Sequence, residues 1–300
     1  MKKILLLLFV ISITGNLFSQ EKKSENIKSI VKIKKLIRRG GTLQIDTTYF
    51  DYQNGKLTSF YKKNSNKVTF KYNDKGLLSE KHKLLGSSLR VSKFYEYDDL
   101  GYIVKVETKE NNVLTATNEF IYVFEKNNDF IITANYKDIR ILNRGNKFLN
   151  KTVYEMKNNI LTIKKESVTG KFKNKSTSIF TYENQNLKLS EFGVTKPKSR
   201  YTMSYSYDEK NGLNKLIMNK LLGDKYFINS FLIETPNIIR PLSYVSNNNL
   251  ISEKIEKKSK TISVTVYNNV IEYNSNKMPV RILRESLDKK AIEDITIEYD

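Results

Sequence analysis

The sequence predicts an all-β chain, an antiparallel meander of repeated β-hairpins forming a large curled or barrel-like sheet. Three observations predict it: a composition that favours strands, an internal repeat, and an alternation of apolar and polar residues inside each copy. Alanine, the best helix former, occurs only at Ala116, Ala134 and Ala291, against 19 Tyr and 15 Phe. Intrinsic preference therefore leans to sheet. Hydrophobic residues make up 39% of the chain, enough to pack a core and to exclude a disordered polypeptide.

The first element in chain order is a secretory signal peptide over residues 1–19. Lys2 and Lys3 give a positive start, Ile4 to Ile13 is apolar except for Ser12, and Gly15 and Ser19 supply small residues for cleavage. The cut is expected after Ser19, with Gly15 as the other candidate. About ten apolar residues are too few to cross a hydrocarbon core that needs roughly twenty. No later apolar run has membrane-spanning length, so no transmembrane helix is expected. The chain is expected to be exported, to the periplasm or the cell surface.

Residues 20–300 read as a single hairpin-repeat domain. The repeat is aromatic–x–Tyr, a short polar turn, Gly or Asn, then an apolar residue. Clear copies are Phe70-Lys71-Tyr72 with Gly76-Leu77, Tyr95-Glu96-Tyr97 with Gly101-Tyr102, and Tyr205-Ser206-Tyr207 with Asn211-Gly212-Leu213. Weaker ones begin at Phe50, Phe180 and Ile271, and the chain stops inside a last copy at Ile297-Glu298-Tyr299-Asp300. Aromatics two apart share one face of a strand. Val68, Phe70 and Tyr72 are thus expected to face a core while Lys67, Thr69 and Lys71 face water. Asn and Asp start the turn by bonding their own backbone, and Gly76 and Gly101 are expected at positive φ. Asn186 suits the same place, since Asn tolerates that conformation; Lys277 suits it less well.

The rhythm lapses at about 214–244. Leu216, Ile217, Leu221 and Leu222 are spaced like a helical turn, Tyr226, Phe227, Phe231 and Leu232 follow, and Pro236 and Pro241 exclude a central strand. Two readings stand: a plug for the end of the sheet, or a surface for a ligand or partner.

Chemistry-bearing residues are few. With no cysteine, disulfides, thiol nucleophiles and cysteine metal sites are excluded, and the single histidine, His82, cannot build a histidine metal cluster. His82 reads as surface or strand filler. Asp98 with Asp99, and Asp208 with Glu209, could be taken for calcium ligands or an acid–base pair. Each turn offers too few oxygens for calcium and no cleft for catalysis, so they read as exposed turn residues. The formal charge of +20 invites nucleic acid. However, the excess is Lys rather than Arg, is spread along the chain, and rises together with Asn and Ile, as A/T-rich codons would give. No nucleic-acid partner is expected.

The hairpin copies resemble the YD-repeat (RHS-like) hairpins of bacterial surface and envelope proteins. The tail is similar to a group of secreted repeat proteins of unknown function common in Bacteroidota, through Tyr205 to Leu213, the Asn-rich Ser246 to Ile251, and Tyr273 to Val280 with Pro279. The resemblance covers about residues 45–300. It implies antiparallel hairpins in a curled or barrel-like sheet and carries no catalytic residue. Toxin-encasing shells of the RHS type need far more repeats.

The leading expectation is a non-enzymatic exported envelope binding or scaffold protein with YD-like repeats, its partner an unknown envelope protein or polysaccharide. No cofactor, catalytic residue or metal ligand is assigned, and the ligand-binding residues and oligomeric state are open. The first alternative is an outer-membrane β-barrel, for which the C-terminal strand Ile295 to Tyr299 speaks. Against it, a lipid-facing barrel could keep lysines such as Lys67 and Lys71 only in its lumen. The further alternative is a polysaccharide-acting enzyme of unrecognised type using acidic residues.

Overall fold

A computed structural model describes residues 26–36, 43–62, 67–85, 89–126, 129–145, 148–192, 200–233, 246–258, 262–288 and 291–300. The expected leader at 1–19 with its cut, and Pro236 and Pro241, lie outside these residues. Eighteen strands follow one another: β1 (Ile27–Leu36), β2 (Leu43–Gln53), β3 (Lys56–Lys62), β4 (Val68–Tyr72), β5 (Leu78–Leu85), β6 (Leu89–Tyr97), β7 (Ile103–Glu110), β8 (Val113–Phe124), β9 (Phe130–Asp138), β10 (Phe148–Lys157), β11 (Ile160–Thr169), β12 (Phe172–Glu183), β13 (Asn186–Phe192), β14 (Arg200–Asn211), β15 (Asn248–Lys258), β16 (Ile262–Tyr273), β17 (Pro279–Ser286) and β18 (Ala291–Tyr299). Among the described residues three α-helices interrupt them: α1 (Ile139–Asn143), α2 (Leu213–Leu222) and α3 (Tyr226–Asn229), the last two joined by a 3-10 turn at Gly223–Lys225.

Every strand pairs antiparallel with its neighbour in sequence, and β1 pairs with both β2 and β18. The meander is therefore a closed 18-stranded barrel. Closure removes the two unpaired edges that an open sheet of this width would expose. Ile30 lies opposite Ile297 on one side and Thr48 on the other, and Ser29 Oγ donates to Glu298 across the seam at 2.9 Å.

Directly opposed residues share a face, so the register sorts the wall into inside and outside. Phe50, Val68, Phe70, Tyr95, Val106, Phe120, Phe180 and Ile282 point inward and are buried. The apolar residue that opens each return strand is the most enclosed: Leu57, Leu78, Ile103, Leu161 and Leu187 have no exposed surface. The tyrosine of the repeat ties adjacent copies together. Tyr72 donates to the Leu57 carbonyl at 2.6 Å, Tyr97 to Leu78 at 2.7 Å, and Tyr122 to Ile103 at 2.5 Å. Tyr299 does the same to Pro279 at 2.8 Å. Each ring thus buries its body against the core while its hydroxyl satisfies a wall carbonyl one hairpin back.

The turns follow the expected chemistry in most copies. Gly76 and Gly101 sit at φ 72° and 85°, and the Asp98 carboxylate accepts from the backbone N–H groups of Leu100 and Tyr102. Three details differ. Asn184 and Gln185, not Asn186, take the positive φ, because that copy closes by a two-residue turn and Asn186 already belongs to β13. Lys277 does adopt positive φ, 63°; its N–H bonds the Asn274 carbonyl, and Asn274 Oδ1 accepts from Asn276 and Met278, which holds the loop against the cost of a Cβ there. The copy at Tyr205 makes no hairpin: β14 runs into α2, and its return strand β15 arrives only after the excursion.

That excursion is helical, as its leucine spacing predicts. Leu213, Ile217, Met218, Leu221 and Leu222 of α2 are buried in the same core as the wall residues, so the segment packs inside one end of the barrel, the end that carries the Gly76 and Gly101 turns. It is clamped by polar contacts: Asn249 Oδ1 accepts the Leu213 N–H at 3.0 Å. Asn229, fully buried, accepts from the Ile103 N–H and donates to the Gly101 carbonyl. Gly212 enters the helix where a Cβ would stand 2.8 Å from the Asn248 carbonyl oxygen, so no side chain fits.

The outer wall carries cross-strand ion pairs: Lys71 with Glu80, Lys105 with Glu96 and Glu107, Lys137 with Glu119, Lys175 with Glu166, and Arg281 with Asp294 and Glu272. His82 lies on this wall as filler, bonded to Ser92 and Glu80 and edge-on to Phe94. Not every lysine faces out. Lys81 and Lys93 oppose each other in the row that begins with Phe70, on the inner face. Lys32 pairs with Glu293 inside, both half-buried, and Arg284 pairs with Glu253, both buried. The inner surface is thus apolar around the helical segment and charged toward the other end.

Candidate functional site

At the plugged end, the helical segment and three hairpin turns leave a cleft of about 440 Å³, within the usual range for small-ligand sites. Its floor is Phe130 and Met156 from the inner wall. Two-residue turns supply the rim. Asn158–Asn159 and Asn184–Gln185 both have positive φ at each position, the geometry of a tight hairpin turn, and they project Asn159 and Gln185 at the cleft. On the other side Gly223, at φ 65°, ends α2. A left-handed residue redirects the chain there, so Asp224 and Lys225 stand on the rim and Phe227 and Ile228 turn into it.

The aromatic walls are held by their neighbours. Tyr182 meets Phe227 edge-to-face at 5.6 Å, and Phe227 meets Phe231 likewise at 5.3 Å. Tyr102 packs on Tyr122 and Phe124; the Lys225 ammonium lies 4.9 Å from its ring centre and donates to its hydroxyl at 3.3 Å. Beneath them Tyr226 donates to Asn247 Oδ1 at 2.6 Å, and burial pushes its phenol up from 10. Asn247 in turn donates to Gln185 Oε1 at 2.9 Å, leaving the Gln185 N–H groups for the cleft. Asp129 Oδ1 accepts the Asn158 N–H at 3.0 Å. Asp224 and Asn159 make no side-chain hydrogen bond among the described residues. The cleft therefore offers carboxylate acceptors, amide donors and acceptors, one ammonium and aromatic faces.

Sequence reasoning assigned no site residue, but the excursion at about 214–244, read as a plug or a binding surface, takes in Asp224, Lys225, Phe227 and Ile228. The rest come from turns scattered over the chain, with no motif to join them. The acidic pairs lie elsewhere. Asp98 serves its turn. Asp208 is no exposed tip: its carboxylate accepts from the Lys210 and Asn249 N–H groups and from the Tyr273 hydroxyl, and the Lys210 ammonium lies 3.5 Å from the Tyr273 ring centre.

No family model matches the chain, and no curated protein does. Among solved structures it is similar to a porin-like protein from Bacteroides vulgatus ATCC 8482, at 12% identity over 91% of this chain and 98% of that one, TM-score 0.44. A second is a porin-like protein from Bacteroides uniformis ATCC 8492, at 12% identity over the same shares, TM-score 0.42. The resemblance to YD-repeat (RHS-like) proteins is corrected by the ring itself. No repeat-family model matches, and the hairpins close into one ring. The aromatic–x–Tyr motif belongs to the wall of that ring, where it buries one aromatic and bonds the preceding hairpin. Of the readings made from the sequence, the barrel alternative is better supported than the repeat scaffold.

Proposed function

We propose that the chain is a non-enzymatic β-barrel of the cell envelope, of the outer-membrane type, with a helical segment of its own packed inside one end. Ring closure carries this reading: β1 pairs with β18, and no strand edge is left open among the described residues. Within a bilayer only helices and closed barrels satisfy every backbone group. Strands such as β8, β12 and β16, of 12 residues each, exceed the roughly 9–11 that a spanning strand needs. A partly charged inner surface also accords with a barrel lumen.

One observation favours a second reading, the same barrel standing in water in the periplasm or on the cell surface. A lipid-facing wall carries an apolar band roughly 25 Å tall, and a lysine or arginine at its midplane costs about 2–4 kcal/mol. Here ion pairs such as Lys137–Glu119 and Arg281–Asp294 lie on the outer wall. Fractionation of expressing cells separates the two. The membrane reading expects the protein in the outer-membrane pellet after high-salt and carbonate washes, extracted only by detergent. Recovery in the soluble periplasmic or secreted fraction without detergent overturns it in favour of the water-immersed barrel.

A further inference from the structure

From the cleft at the plugged end we infer that the protein binds a neutral saccharide there, one or two rings of a glycan. The inference rests on the cleft alone and not on whether the barrel stands in lipid or in water. A pyranose has an apolar face of C–H groups and a rim of hydroxyls that both donate and accept. It is matched by aromatic surface beside mixed polar groups rather than by a single charge. The cleft has that composition. Tyr182 and Phe227 are fixed edge-to-face as one wall and Tyr102 stands as another. Around them Asp129 and Asp224 can accept, the Gln185 amide can donate, and Asn159 can do both.

Charge argues against the other ligand classes. The two carboxylates and Lys225 leave the rim weakly acidic, which disfavours phosphates and sulfated chains. Two separated carboxylates supply too few oxygens for calcium. The polar side chains are also idle in the fold: those of Asp224 and Asn159 make no hydrogen bond among the described residues, and the Gln185 amide uses only its oxygen. They sit together in a cleft of about 440 Å³, although the turns that carry them come from β8–β9, β10–β11, β12–β13 and the helical segment.

The test is calorimetric titration of the full-length mature protein with maltotriose, cellotriose, mannotriose and N,N′-diacetylchitobiose, and with AMP as a ringed but anionic competitor. The expected result is binding of at least one saccharide with Kd on the order of 1 mM or tighter, and none of AMP. Two variants check the site without threatening the fold: Asp224→Asn at an exposed position, and Asn159→Gly, since glycine accepts positive φ at no steric cost. Each should weaken binding about tenfold and leave the thermal midpoint where it is. No saccharide binding, preference for AMP, or variants that bind like the parent overturns the inference.

Discussion

A tyrosine hydroxyl and the carbonyl one hairpin back are a buried pair, and the pair sets what a single-atom change does. Tyr97→Phe keeps the ring in the core but leaves the Leu78 carbonyl without its 2.7 Å partner. A buried acceptor stripped of its bond costs about 1–3 kcal/mol. The variant's denaturation midpoint should fall accordingly, and an unchanged midpoint would mean that water replaces the hydroxyl. A larger loss is expected at Arg284. Its guanidinium meets Glu253 at 2.7 Å with both side chains buried, and it stacks 3.9 Å from the Tyr267 ring centre. Arg284→Met strands the carboxylate, and removing one partner of a buried pair costs about 3–5 kcal/mol.

Lys220 gives a pH dependence. Burial first, and Lys56 nearby second, hold its ammonium below the ordinary 10.5. Below the lowered folded value the group is charged folded and unfolded alike, and the penalty is fully present. As pH rises through the lowered folded value the native state sheds its proton first, and stability grows until pH passes 10.5. Lys220→Met should therefore stabilise on the acid side of that lowered value, and the difference from the parent should shrink toward pH 11. A difference that holds constant across that range would assign the effect to packing instead.

Among elements, α2 is the one whose removal changes the molecule most. Leu221 is 1% exposed, and Leu221→Ala should cost about 2–5 kcal/mol, as for a truncated core leucine. Gly212→Ala strikes the same helix from its entry, since the new methyl would meet backbone oxygen rather than a side chain that can move. The expected outcome is faster proteolysis within the helical segment while the wall persists. That helix was legible in the sequence because its leucines abandon period two. The hairpins were legible because Phe70 and Tyr72, or Tyr95 and Tyr97, keep period two and then meet a turn residue. The period sorts a strand into two faces but does not say which face is wet. Lys81 stands inside, since its partner across the ladder, Phe70, points inward. The cleft was illegible for a different reason. Asn159, Gln185 and Asp224 are ordinary turn and loop residues until closure brings their loops side by side.

For the whole molecule the decisive contact is the seam. Nothing in the local pattern of Ile27–Leu36 names Ala291–Tyr299 as its partner. The sequence could predict a curled sheet but could not choose between an open and a closed one. Deleting residues 27–36 should leave β2 and β18 as bare edges, which are templates for pairing with other chains. The expected result is association or precipitation of the shortened barrel, read by light scattering. A stable, monodisperse product would mean that the remaining strands re-close.

The seam also orders events in time. Ser29 and Glu298 are 269 residues apart, so the bond between them forms only when almost the whole polypeptide is at hand. Neighbouring hairpins can fold as they emerge, each a local event, but the ring locks last. Contacts between distant segments slow folding because their entropy must be given up before they return anything. Until then the chain carries a greasy inner face and two sticky borders. A protein built this way depends on a companion that keeps it unaggregated during that interval, or on a final step fast enough to outrun collision with its own copies.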